Sequence, residues 1–283
     1  MKLSTVLENI KIPHSDIEDL VPKHLKGKDK SGTQGQTKKI IDKKTNSVFY
    51  KKTYHQLKWL TNEVNAYSIL EMVNKAGRAY GYKTDVVPLT KMFKWKIDKD
   101  EDIPGDNIGI IITAGDSNPP AKEQQVSSQL FFTMLEKITL GKVLIGDGDF
   151  GHFPNFYKSP NQSRFYIFDF GFAFGYQNER YLNGFLQKQK RKIQDEKNTA
   201  LKRTKLIKFI KYLQFWEFFL EHNESAILNA IQQNKKDIVN KITNFRDKKV
   251  VEGRSNHITT FIKGQIDMML PAIKSTIEEL NKQ

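Results

Sequence analysis

Leu144-Ile145-Gly146-Asp147-Gly148-Asp149-Phe150-Gly151-His152-Phe153-Pro154-Asn155-Phe156-Tyr157, followed by Phe165-Tyr166-Ile167-Phe168-Asp169-Phe170-Gly171-Phe172, decides how this chain is read. Asn155 to Lys158 and Arg164 to Asp169 are short runs joined by Ser159-Pro160-Asn161-Gln162, which is the pattern of a β-hairpin. Such a hairpin sets Asn155 at the start of one strand and Asp169 at the end of its partner, so that their oxygens converge. Phosphoryl transfer needs an acceptor held in line and divalent metal to neutralise the phosphates. A carboxylate orients or deprotonates the attacking hydroxyl, while an Asn and a second Asp hold magnesium through hard oxygens. Asp149 is the expected catalytic base, and Asn155 and Asp169 are the expected metal ligands. A calcium loop is excluded by spacing, because no carboxylate stands at the twelfth position after Asp147 or Asp149. A metallohydrolase reading is disfavoured because His152 has no nearby second histidine at a metal-ligand spacing.

Outward from this stretch the texture of the chain changes. Upstream, residues 1–27 read as two short helices, with Ser15 to Glu18 at capping-box spacing. A polar glycine-bearing turn, Lys30 to Thr37, precedes Lys39-Ile40-Ile41 and Ser47 to Lys52, which read as strand, turn, strand. Leu60, Val64, Tyr67, Ile69, Leu70 and Val73 recur at mostly helical spacing. Residues 86–97 and 108–113 read as two more strands, and 121–137 as a helix. Downstream of Gly175 the chain is largely helical, with an aromatic-rich stretch at 206–220 and a last helix over 258–280. A β-rich first part (residues 1–114, with an N-terminal helical extension) thus precedes a mostly helical second part (residues 115–283).

Taken together, the Asp–His–Asn loop, the hairpin and Asp169-Phe170-Gly171 resemble the catalytic and metal loops of phosphatidylinositol 3- and 4-kinases. They are similar also to those of HipA-type kinases and of bacterial effector kinases of the same atypical group. His152 and Asn155 keep the family spacing. Asp149 stands three residues before His152, where those families have two. Asp149 is the preferred base on this reading, with Asp147 and His152 supporting the loop, and Asp147 stays open as an alternative base. The resemblance implies an α+β, two-lobed protein-kinase-like fold with a β-rich N-lobe and a mainly helical C-lobe. It also implies ATP and Mg2+ as cofactors, with Mn2+ as a substitute metal. In the N-lobe it implies a phosphate-covering loop at Gly32 and Gly35, a strand lysine at Lys51 (Lys52 being adjacent), and a helix partner at Glu63, with Glu71 the weaker choice.

Lys and Arg number 46 against 32 Asp and Glu, a formal charge of +14, so polyanionic partners are favoured. Lys188, Lys190, Arg191 and Lys192 fall where the resemblance expects a basic segment receiving an anionic substrate. The expected acceptor is a hydroxyl of a phosphoinositide headgroup, with peripheral membrane contact. The alternatives are a Ser/Thr protein kinase of effector type, activated by a polyanion such as an inositol polyphosphate, and a pseudokinase that binds nucleotide or anionic lipid. Nucleic acid ranks last, because no recognised nucleic-acid motif is present. The chain has no cysteine, which excludes disulfides and thiolate metal sites. No signal-peptide core or membrane-length apolar run stands in it, so the expectation is a soluble protein of a reducing intracellular compartment, a host cytosol included.

Overall fold

The computed structural model describes residues 35–42, 47–54, 56–80, 94–99, 108–113, 138–147, 156–158, 165–167, 170–176 and 178–282; the strands other than Tyr54, and position 78, are described as backbone. In chain order these residues form β1 (Gly35–Asp42), β2 (Ser47–Tyr54), α1 (Leu57–Ala79), β3 (Lys94–Lys99), β4 (Ile108–Thr113), β5 (Phe156–Lys158) and β6 (Phe165–Ile167). Three long helices close the chain: α2 (Glu179–Gln194), α3 (Thr199–Val239) and α4 (Phe245–Asn281). Residues 138–144 are also helical. The first four strands pair antiparallel in the order β1-β2-β4-β3, and β5 pairs with β6 as the expected hairpin, Phe156 opposite Ile167. The helices expected over 1–27 and 121–137, and the boundary between 114 and 115, lie outside the described residues.

Local sequence accounts for the long helices. Asn198 caps α3, its Oδ1 accepting from the Leu201 amide at 3.0 Å, and Asn244 caps α4 by accepting from the Arg246 amide at 2.8 Å. Along α4, Val251, Ser255, Ile258, Ile262, Ile266, Met269, Ile273, Ile277 and Leu280 are buried, a stripe at three- and four-residue steps that seats the helix against its neighbours. On α3 the stripe is aromatic: Phe209, Tyr212, Phe215, Trp216 and Phe219 are buried, and their rings meet mostly edge-on. Phe185 of α2 joins the cluster against Phe209 and Tyr212. Burial pushes the Tyr212 hydroxyl well above its ordinary range.

These helices overturn the expected fold class. Of the residues whose side chains are described, 84% are helical, and their packed interior holds no sheet, so a two-lobed kinase-like α+β fold with a β-rich N-lobe is not observed. Tyr54, at the end of β2, is the one strand residue among the described core. The physical reason lies in composition. β1 reads GQTKKIID, β2 SVFYKKTY and β3 KWKIDK; only β4, IGIIIT, is continuously apolar. Such lysine-rich strands offer too little apolar area to organise a lobe of their own. The helix expected to carry Glu63 within that lobe, α1, instead packs mainly on α3 and α4.

The burial of α1 shows how completely it is enclosed. Every residue from Leu60 to Tyr67 is buried, so this stretch has no solvent face at all. A helix surrounded in this way must pair its polar groups internally. Thr61 Oγ1 donates to the Leu57 carbonyl at 2.7 Å and Asn65 Nδ2 to the Thr61 carbonyl at 2.7 Å. Asn234 Nδ2, on α3, reaches Asn65 Oδ1 at 3.0 Å and Ser68 Oγ at 2.9 Å, tying the two helices by a buried amide.

Candidate functional site

Three segments singled out from the sequence meet beside α1: its own Glu63, the start of the aspartate loop at 145–147, and the turn 170–176 that follows Asp169. Glu63 is fully buried, and its two carboxylate oxygens take hydrogen bonds from Tyr54 at 2.6 Å and Tyr67 at 3.2 Å. Burying a carboxylate is costly unless donors surround it, so the two hydroxyls are part of what makes the position tenable. The Tyr67 ring in turn meets Phe170 edge-on, with centroids 5.2 Å apart. The neighbour of Glu63, Asn62, donates its Nδ2 to the Gly171 carbonyl at 2.6 Å, a buried bond joining positions 109 residues apart. Glu63 and the Phe170-Gly171 dipeptide are therefore held to each other through Asn62 and Tyr67 of α1.

The loop at 145–147 is tied to the same turn. The Phe174 amide donates to the Ile145 carbonyl at 2.7 Å, and the Asp147 amide to the Lys142 carbonyl at 3.1 Å. Asp147 is buried and pairs with Lys142 Nζ at 2.7 Å, the side chains being 1% and 3% exposed. An ion pair so enclosed is a structural fixture: removing one partner strands a charge and costs about 3–5 kcal/mol. Two residues at this junction have a left-handed backbone. Gly146 has φ +56°, and a Cβ there would fall on the Phe261 ring and lie 2.8 Å from the Tyr176 carbonyl oxygen. Phe174 has φ +60° with a full side chain, a conformation that costs about 1–3 kcal/mol and persists only where its surroundings impose it.

The expected site residues fall as follows. Gly32, Asp149, His152, Asn155 and Asp169 lie outside the described residues. Gly35 opens β1 opposite Tyr54, and Lys51 stands in β2 opposite Lys38 on one side and Ile111 on the other. Lys188, Arg191 and Lys192 are exposed on α2. Lys190 differs from them: its Nζ pairs with Glu279 of α4 at 2.7 Å and its side chain is only 12% exposed. The hydrogen bond from Lys190 holds the Glu279 carboxyl below the usual carboxylate range. Among the described residues no group of three His, Asp or Glu side chains is placed to hold a metal, and no helix is long and apolar enough to cross a membrane.

Sequence reading passed over Asn62, Tyr54, Tyr67, Arg254 and His257, all of which touch this junction. A signal was present for two of them. Asn62 begins an Asn-Glu pair between the apolar Leu60 and Val64, and Arg254 stands between the buried Val251 and Ile258. Polar groups at such positions need partners from elsewhere in the chain. Comparison with protein-family models, curated proteins and solved structures finds no match to this chain.

Proposed function

We propose that the chain is a Mg·ATP-dependent phosphotransferase acting on a hydroxyl, with its reacting centre at the junction of 145–155, 169–171 and Glu63. The proposal rests on the chemistry of these loops and not on a kinase-like fold. The observation that carries it is the buried Asn62–Gly171 hydrogen bond, which joins the helix turn bearing Glu63 to Gly171, a residue two positions along the chain from Asp169. Aspartate and asparagine oxygens are the hard donors magnesium prefers, and Asn155 and Asp169, at the two ends of the β5–β6 hairpin, would hold it. Bound there, the metal would neutralise phosphate charge. Asp149 would orient and deprotonate the acceptor hydroxyl. Asp147, engaged with Lys142 in the interior, is better suited to fixing the loop than to accepting a proton from substrate. Lys51 or Lys52 of β2 would contact the nucleotide phosphates, with Glu63 as the fixed acid of that region.

The acceptor we favour is an anionic headgroup such as a phosphoinositide, because Lys188, Arg191 and Lys192 are presented together on the outer side of α2. The test is transfer of radiolabelled γ-phosphate from Mg·ATP to mixed phosphoinositide vesicles and, in parallel, to a protein extract, with and without inositol hexakisphosphate. Label in lipid is the expected result. Label in protein would move the acceptor to Ser or Thr, and ATP binding without transfer would make the chain a nucleotide-binding scaffold. Asp149→Ala and Asp169→Ala should each lower transfer on the order of 10²-fold or more, because a preorganised charge is lost at the reacting centre. Near-normal turnover in Asp169→Ala would remove this loop from the mechanism.

A further inference from the structure

α4 turns one face toward both loops of the proposed site. Arg254, His257, Phe261 and Gln265 follow at i, i+3, i+7 and i+11, the spacing that lines residues along one side of a helix. Arg254 Nε donates to Asn62 Oδ1 at 2.6 Å, and its Nη2 reaches the carbonyls of Ala173 and Phe174, both at 3.2 Å. His257 Nε2 lies 3.0 Å from the same Phe174 carbonyl, as a donor in the tautomer that this oxygen requires. The Phe261 ring meets Phe174 edge-on at 5.9 Å and fills the space above Gly146. Gln265 Nε2 approaches the Tyr176 carbonyl at 3.4 Å. One helix face thus grips the left-handed Phe174, the residue beside it and the amide of Asn62, which itself holds Gly171.

We infer that Arg254 and His257 are positioning residues, a brace from the C-terminal helix that holds the 170–176 turn in its left-handed form and in register with Glu63. Arg254 is suited to this because Nε and Nη2 of its planar fork serve three oxygens on two segments at once, where a lysine would offer a single flexible ammonium. It is about half-buried, and burial lowers its pKa below the usual guanidinium range. Asp169 joins the turn through the Phe170 peptide bond, so a loosened turn would leave that carboxylate free to wander. The structural part of the inference stands on this geometry; its consequence for turnover rests on the phosphotransferase reading.

Hydrogen–deuterium exchange on the full chain tests it, comparing wild type with Arg254→Met, Arg254→Lys and His257→Leu. Loss of charge-assisted bonds to the turn should speed exchange in peptides spanning 145–147 and 170–176 by about tenfold, the Phe174 amide included. The helical peptides of α3 should keep their protection, and Arg254→Lys should behave like Arg254→Met. Should Arg254→Met fail to fold, His257→Leu, which removes one donor to Phe174, carries the same reading. Unchanged exchange in the turn of folded variants would overturn the brace. A rise spread evenly over the whole chain would also overturn it, reducing Arg254 to a general stabiliser. In transfer assays kcat should fall while KM for ATP stays within about twofold, since Arg254 acts through the turn and not on the nucleotide. A local rise in exchange with kcat unchanged would refute the catalytic consequence. A wild type without transfer would withdraw the phosphotransferase reading and leave the exchange result to decide the brace.

Discussion

Gly146 and Phe174 share a left-handed backbone but not the reason for it. At Gly146 the absent side chain is the point: Phe261 and the Tyr176 carbonyl occupy the space a Cβ would need. Gly146→Ala would combine a left-handed penalty with overpacking, a loss of about 2–5 kcal/mol. Urea unfolding should show it as a lower midpoint at unchanged slope, and a midpoint within error of wild type would mean the loop relaxes freely. At Phe174 the side chain is present and buried, so its conformation is imposed from outside, by Ile145 on the amide and by Arg254 and His257 on the carbonyl. Such a residue gives no local signal. Phenylalanine predicts an extended or right-handed helical backbone, and only contacts distant in sequence reverse that preference.

At the scale of elements, the helices past Gly175 were legible and their limits were less so. The last helix begins at Phe245, thirteen residues before the position where apolar periodicity first makes it plain, because between the Asn244 cap and Ile258 the buried stripe holds only Val251 and the polar Ser255. Capping gives a direct test. Asn198→Ala removes the acceptor for the Leu201 amide and should cost about 1 kcal/mol, seen as a lower thermal midpoint that Asn198→Ser largely restores. The α2–α4 ion pair gives another. The folded-state pKa of Glu279 is depressed by Lys190, so the stability this contributes is present above the ordinary carboxylate range and is lost as pH falls through the depressed value. Glu279→Gln should therefore flatten the fall in stability on acidification, and high salt should shrink the difference from wild type. Equal pH dependence in the two proteins would show that the contact carries no linkage.

Across the whole molecule, the core gathers described residues from Tyr54 to Leu280 into one apolar cluster that includes the buried residues of α1. Asn234→Ala would leave the Asn65 amide oxygen without the α3 partner it has here and should destabilise the protein by about 1–3 kcal/mol. If α1 belongs to this body, that loss appears in a single cooperative transition reported alike by tryptophan fluorescence and by helical circular dichroism. Two separate transitions would detach α1 from the helices. The sequence by itself determined what is local: the helical C-terminal half and the β5–β6 hairpin across Ser159-Pro160-Asn161-Gln162. Backbone preference, periodicity and turn chemistry act over a few residues, and those can be read directly. Only tertiary structure decided that α1 lies inside a helical body and that its Thr61, Asn62, Glu63 and Asn65 are buried. It alone also decided that Arg254 and His257 reach back some eighty residues to Phe174. A buried polar group is satisfied by whichever partner the packing brings to it, and no local rule of sequence names that partner.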